Sequence, residues 1–200
     1  MAESRVFLRK SETSELVEAS LTDEVTDQHL VMWNDSWRPA MEAYCAGRVF
    51  RNKPEDHHWD WKRKANEWRS LLGYHSFAIV CEQGLQGLML ASDFNSARLQ
   101  AQFGKAIVYV EFLATAPWNR PELENPPRYR GVGTVMIAAA VELSRELGYR
   151  GRIGLHSLPK AERFYRDACG MTGLGMDTAH ENLMYFEMTG NQAERFRQKR

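Results

Sequence analysis

Apolar and polar positions change rhythm once along this chain of 200 residues. A short strand from Val6 to Arg9 opens it, and the stretch that follows reads as helical, with Gly47 its only glycine before Gly73. Leu16, Val17 and Leu21 suggest one amphipathic set of turns, and Leu30, Trp33 and Trp37 a second. Pro39 and Asn52-Lys53-Pro54 act as breaks. A third helix is predicted from Trp59 to Leu72, with Trp61, Trp68 and Leu72 on one face and Gly73 at its end. Strands follow. Phe77–Val80 and Leu85–Leu90 flank Gln83-Gly84 as a hairpin, and a polar stretch from Asp93 to Lys105 leads to a third strand, Ile107–Ala116. Beyond a proline-rich loop come a helix over Val132–Leu147, a strand over Arg152–Leu158 and a helix over Pro159–Cys169. Two strands near Gly173–Met176 and Leu183–Met188 close the pattern, and the tail from Gly190 is polar and basic. With no internal repeat and no long linker, this order predicts a single mixed α/β domain over residues 1–200. Residues 1–75 form its mainly helical part, 76–189 its sheet and helices, and 190–200 its basic tail.

Composition narrows the setting. Hydrophobic residues at 44% and charged residues at 26% fit a chain that buries a core, and exclude low-complexity material. The N-terminus has no apolar run of signal length, and the longest apolar run, Val135–Val141, is far too short to span a bilayer. Three cysteines, Cys45, Cys81 and Cys169, are odd in number and form no Cys-x-x-Cys pair. Disulfides and a structural zinc site are therefore not expected, and a cytoplasmic location fits best. Asp56-His57-His58-Trp59-Asp60 has metal-ligand residue types, but adjacent histidines at a helix start point in different directions, so no metal is expected.

The chemistry concentrates in one segment. Tyr109–Pro117 reads as a strand, and Arg128-Tyr-Arg-Gly-Val-Gly-Thr134 follows where an apolar helix begins. Gly131 and Gly133 let the backbone approach a ligand closely and leave amide N–H groups unblocked. The first N–H groups of a helix lack intrahelical partners and lie at its partly positive end, which makes a seat for a phosphate or pyrophosphate. Arg128 and Arg130 add charge beside it. A P-loop would need Gly-Lys followed by Ser or Thr, and a dinucleotide fingerprint would need glycine where Met136 stands.

What remains, Arg-x-x-Gly-x-Gly, resembles the motif with which the GCN5-related N-acetyltransferase family binds the pyrophosphate of acetyl-CoA. Val110–Pro117 resembles that family's fourth strand, and Ala161-Glu-Arg-Phe-Tyr165 with Gly170-Met171 resembles its Ala-x-x-x-Tyr helix and glycine ending. The resemblance runs from Phe77 to Met188. It implies an acyl-CoA N-acyltransferase fold: one domain with a central mixed, mostly antiparallel sheet, splayed at the cofactor site and flanked by helices. It further implies acetyl-CoA as co-substrate, with Leu113, Ala114 and Thr115 facing the pantetheine arm and Arg128, Arg130, Gly131, Val132, Gly133 and Thr134 around the pyrophosphate.

Three positions depart from the pattern. The loop Trp118–Pro127 is longer than usual; Leu158 stands where the family often has asparagine; and Tyr165 to Gly170 is one residue longer. The first leaves open whether the loop walls the acceptor pocket, and the second whether a side-chain contact to the cofactor is kept.

Acyl transfer to an amine needs a base, an oxyanion donor and a proton for the departing thiolate. Glu111 is the expected base, the backbone N–H around Leu113 the donor, and Tyr165 the acid. The bland alternatives are an ion-paired sheet carboxylate and a core tyrosine. His156, on the following strand, is a further base or substrate ligand, or simply a structural histidine. Five of the six tryptophans fall between Trp33 and Trp68. They either pack helices, line an acceptor pocket suited to an apolar or cationic amine, or form a dimer interface, so a homodimer stays open. The rival readings are a non-catalytic CoA-binding regulator and a nucleotide-binding domain. Whether the acceptor is a small molecule or a protein amine, no residue pattern decides.

Lysine plus arginine and aspartate plus glutamate both number 26, so the net charge is zero. That speaks against nucleic acid as a partner and against a membrane surface. The zero is a cancellation. Residues 1–30 carry seven acidic and three basic side chains, whereas residues 128–166 carry eight basic and three acidic ones, the local excess that a phosphate-rich ligand calls for.

Overall fold

The computed structural model describes residues 3–199, with the side chain of Arg51 outside that description. Among the described residues, nine strands and five α-helices form a mixed α/β fold whose large sheet is mostly antiparallel. The chain packs as two compact units.

The first unit takes the residues up to Leu72 together with Ser76–Leu88 and Ala114–Gly133. Its strand neighbours are β6 (Tyr129–Arg130), β1 (Glu3–Lys10), β2 (Leu16–Thr22), β3 (Tyr74–Cys81) and β4 (Gly84–Ser96) in that order. Strands β1 (Glu3–Lys10) and β2 (Leu16–Thr22) pair antiparallel, Val6 opposite Ala19. Here the helical expectation for Leu16–Leu21 fails. Leu16 is exposed, Ala19 is buried and Leu21 lies opposite Ile79 of β3 (Tyr74–Cys81), so β2 is held between its hairpin partner β1 and the sequence-distant β3.

Helix α1 (Asp27–Met32), capped by Thr26, passes through a wide π turn at Trp33–Trp37 into α2 (Arg38–Cys45) without leaving helical backbone. Pro39, expected as a break, sits in the first turn of α2 just after that wide turn, where its missing N–H is tolerated. Helix α3 (Trp61–Trp68) starts on an Asp60 cap and ends earlier than expected, leaving Leu72 97% exposed rather than on a packed face. Trp33, Trp37, Trp61 and Ala65 pack with Leu8, Leu30, Ile79 and Leu85 as core, and the Trp37 indole donates to the Leu85 carbonyl at 2.9 Å.

The second unit takes Gly73–His75, Met89–Leu113 and the residues from Thr134 onward. Its strand neighbours are β4 (Gly84–Ser96), β5 (Ala106–Thr115), β7 (Ile153–Ser157), β9 (Leu183–Met188) and β8 (Thr172–Asp177). Strands β5 and β7 run parallel, β7 and β8 antiparallel to β9. Helix α4 (Val132–Glu146) joins β5 to β7 in sequence, as a parallel pair requires. At Gly154 an added Cβ would lie 2.7 Å from the Tyr185 hydroxyl and 2.8 Å from Ile107. A larger residue there would have to displace both side-chain ends. The helix expected over Pro159–Cys169 runs as continuous helical backbone from Pro159 to Ala168, opening in a 3-10 turn at Pro159–Ala161 and widening into a π turn at Phe164–Ala168. The expected basic tail is helix α5 (Gly190–Gln198), begun by a Thr189/Gln192 capping box and anchored by buried Ala193 and Phe196.

Candidate active site

In the second unit, the pairing of β5 with β7 covers Val108–Val110 against Ile153–Leu155 and stops there. Strand β5 continues through Glu111 and β7 through His156 and Ser157, so the two strands part. A parting strand leaves backbone N–H and C=O groups to be satisfied by something else. Leu113, with Ala114 and Thr115 after it, lies on the continuing part of β5.

Glu111 is half-buried just past the last paired residue. It accepts from the Ser92 hydroxyl at 2.7 Å, and Asn95 donates to the Ser92 oxygen at 2.8 Å. Burial raises its carboxyl above the ordinary value, while the Ser92 bond and His180 pull it back. Tyr165 sits in the π turn, 7% exposed, with its ring against Phe164 and Phe186. Burial pushes its phenol upward, so it stays protonated and able to donate. Cys169 nearby is buried, its thiol pushed up to about 12, which makes it a poor nucleophile.

His156, singled out in the sequence, has partners that no local pattern could show. Its Nδ1 meets the Tyr109 hydroxyl, and its Nε2 lies 3.0 Å from Asp177 Oδ2. Its ring stacks on His180 at 4.0 Å. Arg98 donates to the same Asp177 oxygen.

In the first unit the glycine loop is tied down from behind. The Gln86 side chain, 0% exposed, accepts from Trp118 Nε1 and from Asn119 Nδ2, each at 2.9 Å. Asn119 Oδ1 in turn accepts from the Tyr129 amide at 3.0 Å. Strand β6 (Tyr129–Arg130) pairs with Lys10 and Arg9 of β1. This network positions Gly131, whose φ of +97° a side chain would resist. A Cβ built there meets nothing within 4 Å, so the loop faces open space. Val132 is buried and starts α4, which runs for 15 residues, so the first N–H groups of that helix follow directly on Gly131 in the chain. Gly133 and Thr134 lie in the first turn of α4, both half-buried. Arg130 is exposed beside the opening; Arg128 lies over the Trp118 ring and pairs with Glu124 at 2.8 Å. Helix-start amides, which have no intrahelical partners, a glycine with space before it and flanking arginines fit a pyrophosphate.

The same unit encloses a cavity of about 550 Å³ lined by Trp33, Trp37, Trp59 and Trp61, with Asp56, Arg120, Ala114 and Thr115 among its walls. Core and lining are thus not alternatives for these tryptophans, since three of them are buried and still face the cavity. Asp56 is held by Arg120 at 2.8 Å, His57 Nδ1 lies 2.7 Å from the Pro54 carbonyl, and Asp60 caps α3 through the Arg63 amide. Asp56, His57 and Asp60 are thus each engaged by a partner within the same unit.

Comparison with known proteins settles the fold. No protein-family model matches the sequence, and no curated protein matches it. Among solved structures, the GNAT domain of S. lividans PAT superposes with a TM-score of 0.55 at 14% identity, covering 93% of this chain and 96% of that one. Spermidine N-acetyltransferase from Vibrio cholerae, in complex with CoA and spermine, gives 0.52 at 15% identity over 88% and 98%. PaiA N-acetyltransferase from Thermoplasma acidophilum, in complex with coenzyme A, gives 0.52 at 11% over 86% and 98%. This chain has the GCN5-related N-acetyltransferase fold. Within that fold β5 is the strand that parts from its neighbour, as the resemblance of Val110–Pro117 implied. Among the described residues no helix is long and apolar enough to cross a membrane.

Proposed function

We propose that the protein is an acyl-CoA-dependent N-acetyltransferase that acetylates a primary amine by direct attack in a ternary complex. The observation that carries this reading is the parting of β5 from β7 after Val110, with a half-buried carboxylate at the first unpaired position. Acetyl-CoA supplies the acyl group and a thiol leaving group. Arg128, Arg130 and the amides from Gly131 to Thr134 would hold its pyrophosphate, and the free edge of β5 at Leu113–Thr115 its pantetheine arm. The tryptophan cavity receives the acceptor, packing an apolar or cationic body against indole faces. Thr115, four residues after Glu111 on the same strand, lines it. Glu111 takes the proton from the ammonium, its raised carboxyl bringing it closer to the working pH. The Leu113 amide stabilises the developing oxyanion, and Tyr165, kept protonated by burial, donates to the departing sulfur.

The test is a screen of amine classes with acetyl-CoA, read by thiol release, alongside Glu111→Gln and Tyr165→Phe. Glu111→Gln is expected to lower turnover by about 10²–10⁴-fold with acetyl-CoA affinity unchanged. If the intact protein binds acetyl-CoA but acetylates no amine, it is a CoA-binding regulator instead. A stable acetyl-enzyme would overturn direct attack.

A further inference from the structure

We propose that His156, Asp177 and His180 form a binding site for a divalent transition-metal ion of the zinc class, where the β8–β9 turn meets β7. The reading is independent of acyl transfer. Among the described residues this is the one group of three metal-ligating side chains whose donor atoms converge, all within 4.8 Å of one another. Asp177 Oδ2 lies 3.0 Å from His156 Nε2 and 3.1 Å from His180 Nδ1. A tetrahedral cation with Zn–N and Zn–O bonds of about 2.0–2.1 Å holds its ligands roughly 3.3 Å apart, close to the distance at which Asp177 Oδ2 already stands from each histidine nitrogen. The two imidazoles stack within 9° of parallel at 4.0 Å, and because a metal bonds a histidine nitrogen in the plane of its ring, His180, carried on the exposed turn, tilts out of the stack when it shares a cation with His156.

The surroundings match what a metal-bound histidine needs. His156 Nδ1 faces the Tyr109 hydroxyl, so with Nε2 on the metal the Nδ1–H has an oxygen to donate to, fixing tautomer and ring angle. Asp177 Oδ1 accepts from the Ala179 amide at 3.0 Å, which aims Oδ2 at the histidines. Two imidazoles and one carboxylate select Zn²⁺, Co²⁺ or Ni²⁺ over Mg²⁺ or Ca²⁺, which prefer all-oxygen sets, and they leave a fourth position for water. The competitor is Arg98, which donates to the same Asp177 oxygen. Its side chain is 47% exposed and lies over the Tyr185 ring at 4.3 Å, so it has solvent to move into when a metal takes that oxygen. Metal binding would join β7 to the β8–β9 turn across 21 residues of chain.

The untagged full-length chain, stripped with chelator, is titrated with Co²⁺ and then Zn²⁺. One equivalent of Co²⁺ should give the visible d–d absorption of a tetrahedral nitrogen–oxygen site, lost on adding Zn²⁺, and Zn²⁺ should raise the melting temperature. His180→Ala, in an exposed turn, and Asp177→Asn should each weaken binding by at least about 100-fold, and Tyr109→Phe by about 10-fold. Arg98→Gln should tighten it. The double variant His57→Ala/His58→Ala should bind as the parent does. Absence of a saturable single-equivalent site, or binding that survives His180→Ala, overturns the proposal.

Discussion

Two glutamates in the second unit, Glu111 on β5 and Glu187 on β9, lie on strands of the same sheet and have opposite fates. Glu187 is 0% exposed and surrounded by donors: the Arg98 and Leu99 amides, Gln102 Nε2 at 2.9 Å and the Tyr185 hydroxyl at 3.0 Å. Its charge is spread over a hydrogen-bond set that pins the segment after β4 to β9. Glu111 has the Ser92 hydroxyl and a half-buried position where β5 loses its partner strand. A buried carboxylate with every lone pair engaged is an anchor. One left under-solvated is poised to accept a proton.

The largest effect that separates them is on folding. Glu187→Ala strands four donors, two of them, Gln102 Nε2 and the Tyr185 hydroxyl, buried, and should cost about 3 kcal/mol or more in denaturant unfolding, with the folded fraction still able to turn over. A loss of turnover in the folded fraction would break the division between anchor and base. Glu111→Gln should act the other way. Because the folded protein raises this carboxyl above its ordinary 4.5, folding disfavours the ionised form. That penalty is absent below pH 4.5 and grows as pH rises through the raised value. The glutamine variant should therefore melt higher than the parent at pH 7, with the difference vanishing in acid. The smallest effect belongs to Ser92→Ala. Removing the donor lifts the Glu111 carboxyl further, against the same background of Tyr74, Tyr109 and His180. The acid limb of the pH–rate profile then moves to higher pH, and an unmoved limb would show that Glu111 is not the titrating base.

Legibility followed the distance over which each feature is encoded. Helix α4 and strands β3, β5, β7 and β9 were readable because their periodicity and their closing glycines are local. Strand β2 was not: Leu16, Val17 and Leu21 have helical spacing, and only the pairing with β1 and β3 makes them a strand. Helix α5 hid behind its polar composition, although Thr189-x-x-Gln192 is a readable capping box. The glycine loop and Glu111 were visible as motif and spacing. The Gln86 network and the His156–Asp177–His180 group were not, since each joins residues tens of positions apart.

The Gln86 network has a bearing on how this molecule can be altered. The Arg128 amide donates to the Trp118 carbonyl at 2.8 Å, so the intervening loop is stitched shut at its base. Residues 121–127 bulge beyond that stitch, with the Glu122 carbonyl accepting from Tyr44 and Glu124 pairing with Arg128. A short peptide spliced at the exposed Asn125 would therefore lengthen the loop while the stitch and the Gln86 bonds keep Gly131 in place, and this makes that point of the loop a natural site of divergence between otherwise similar proteins.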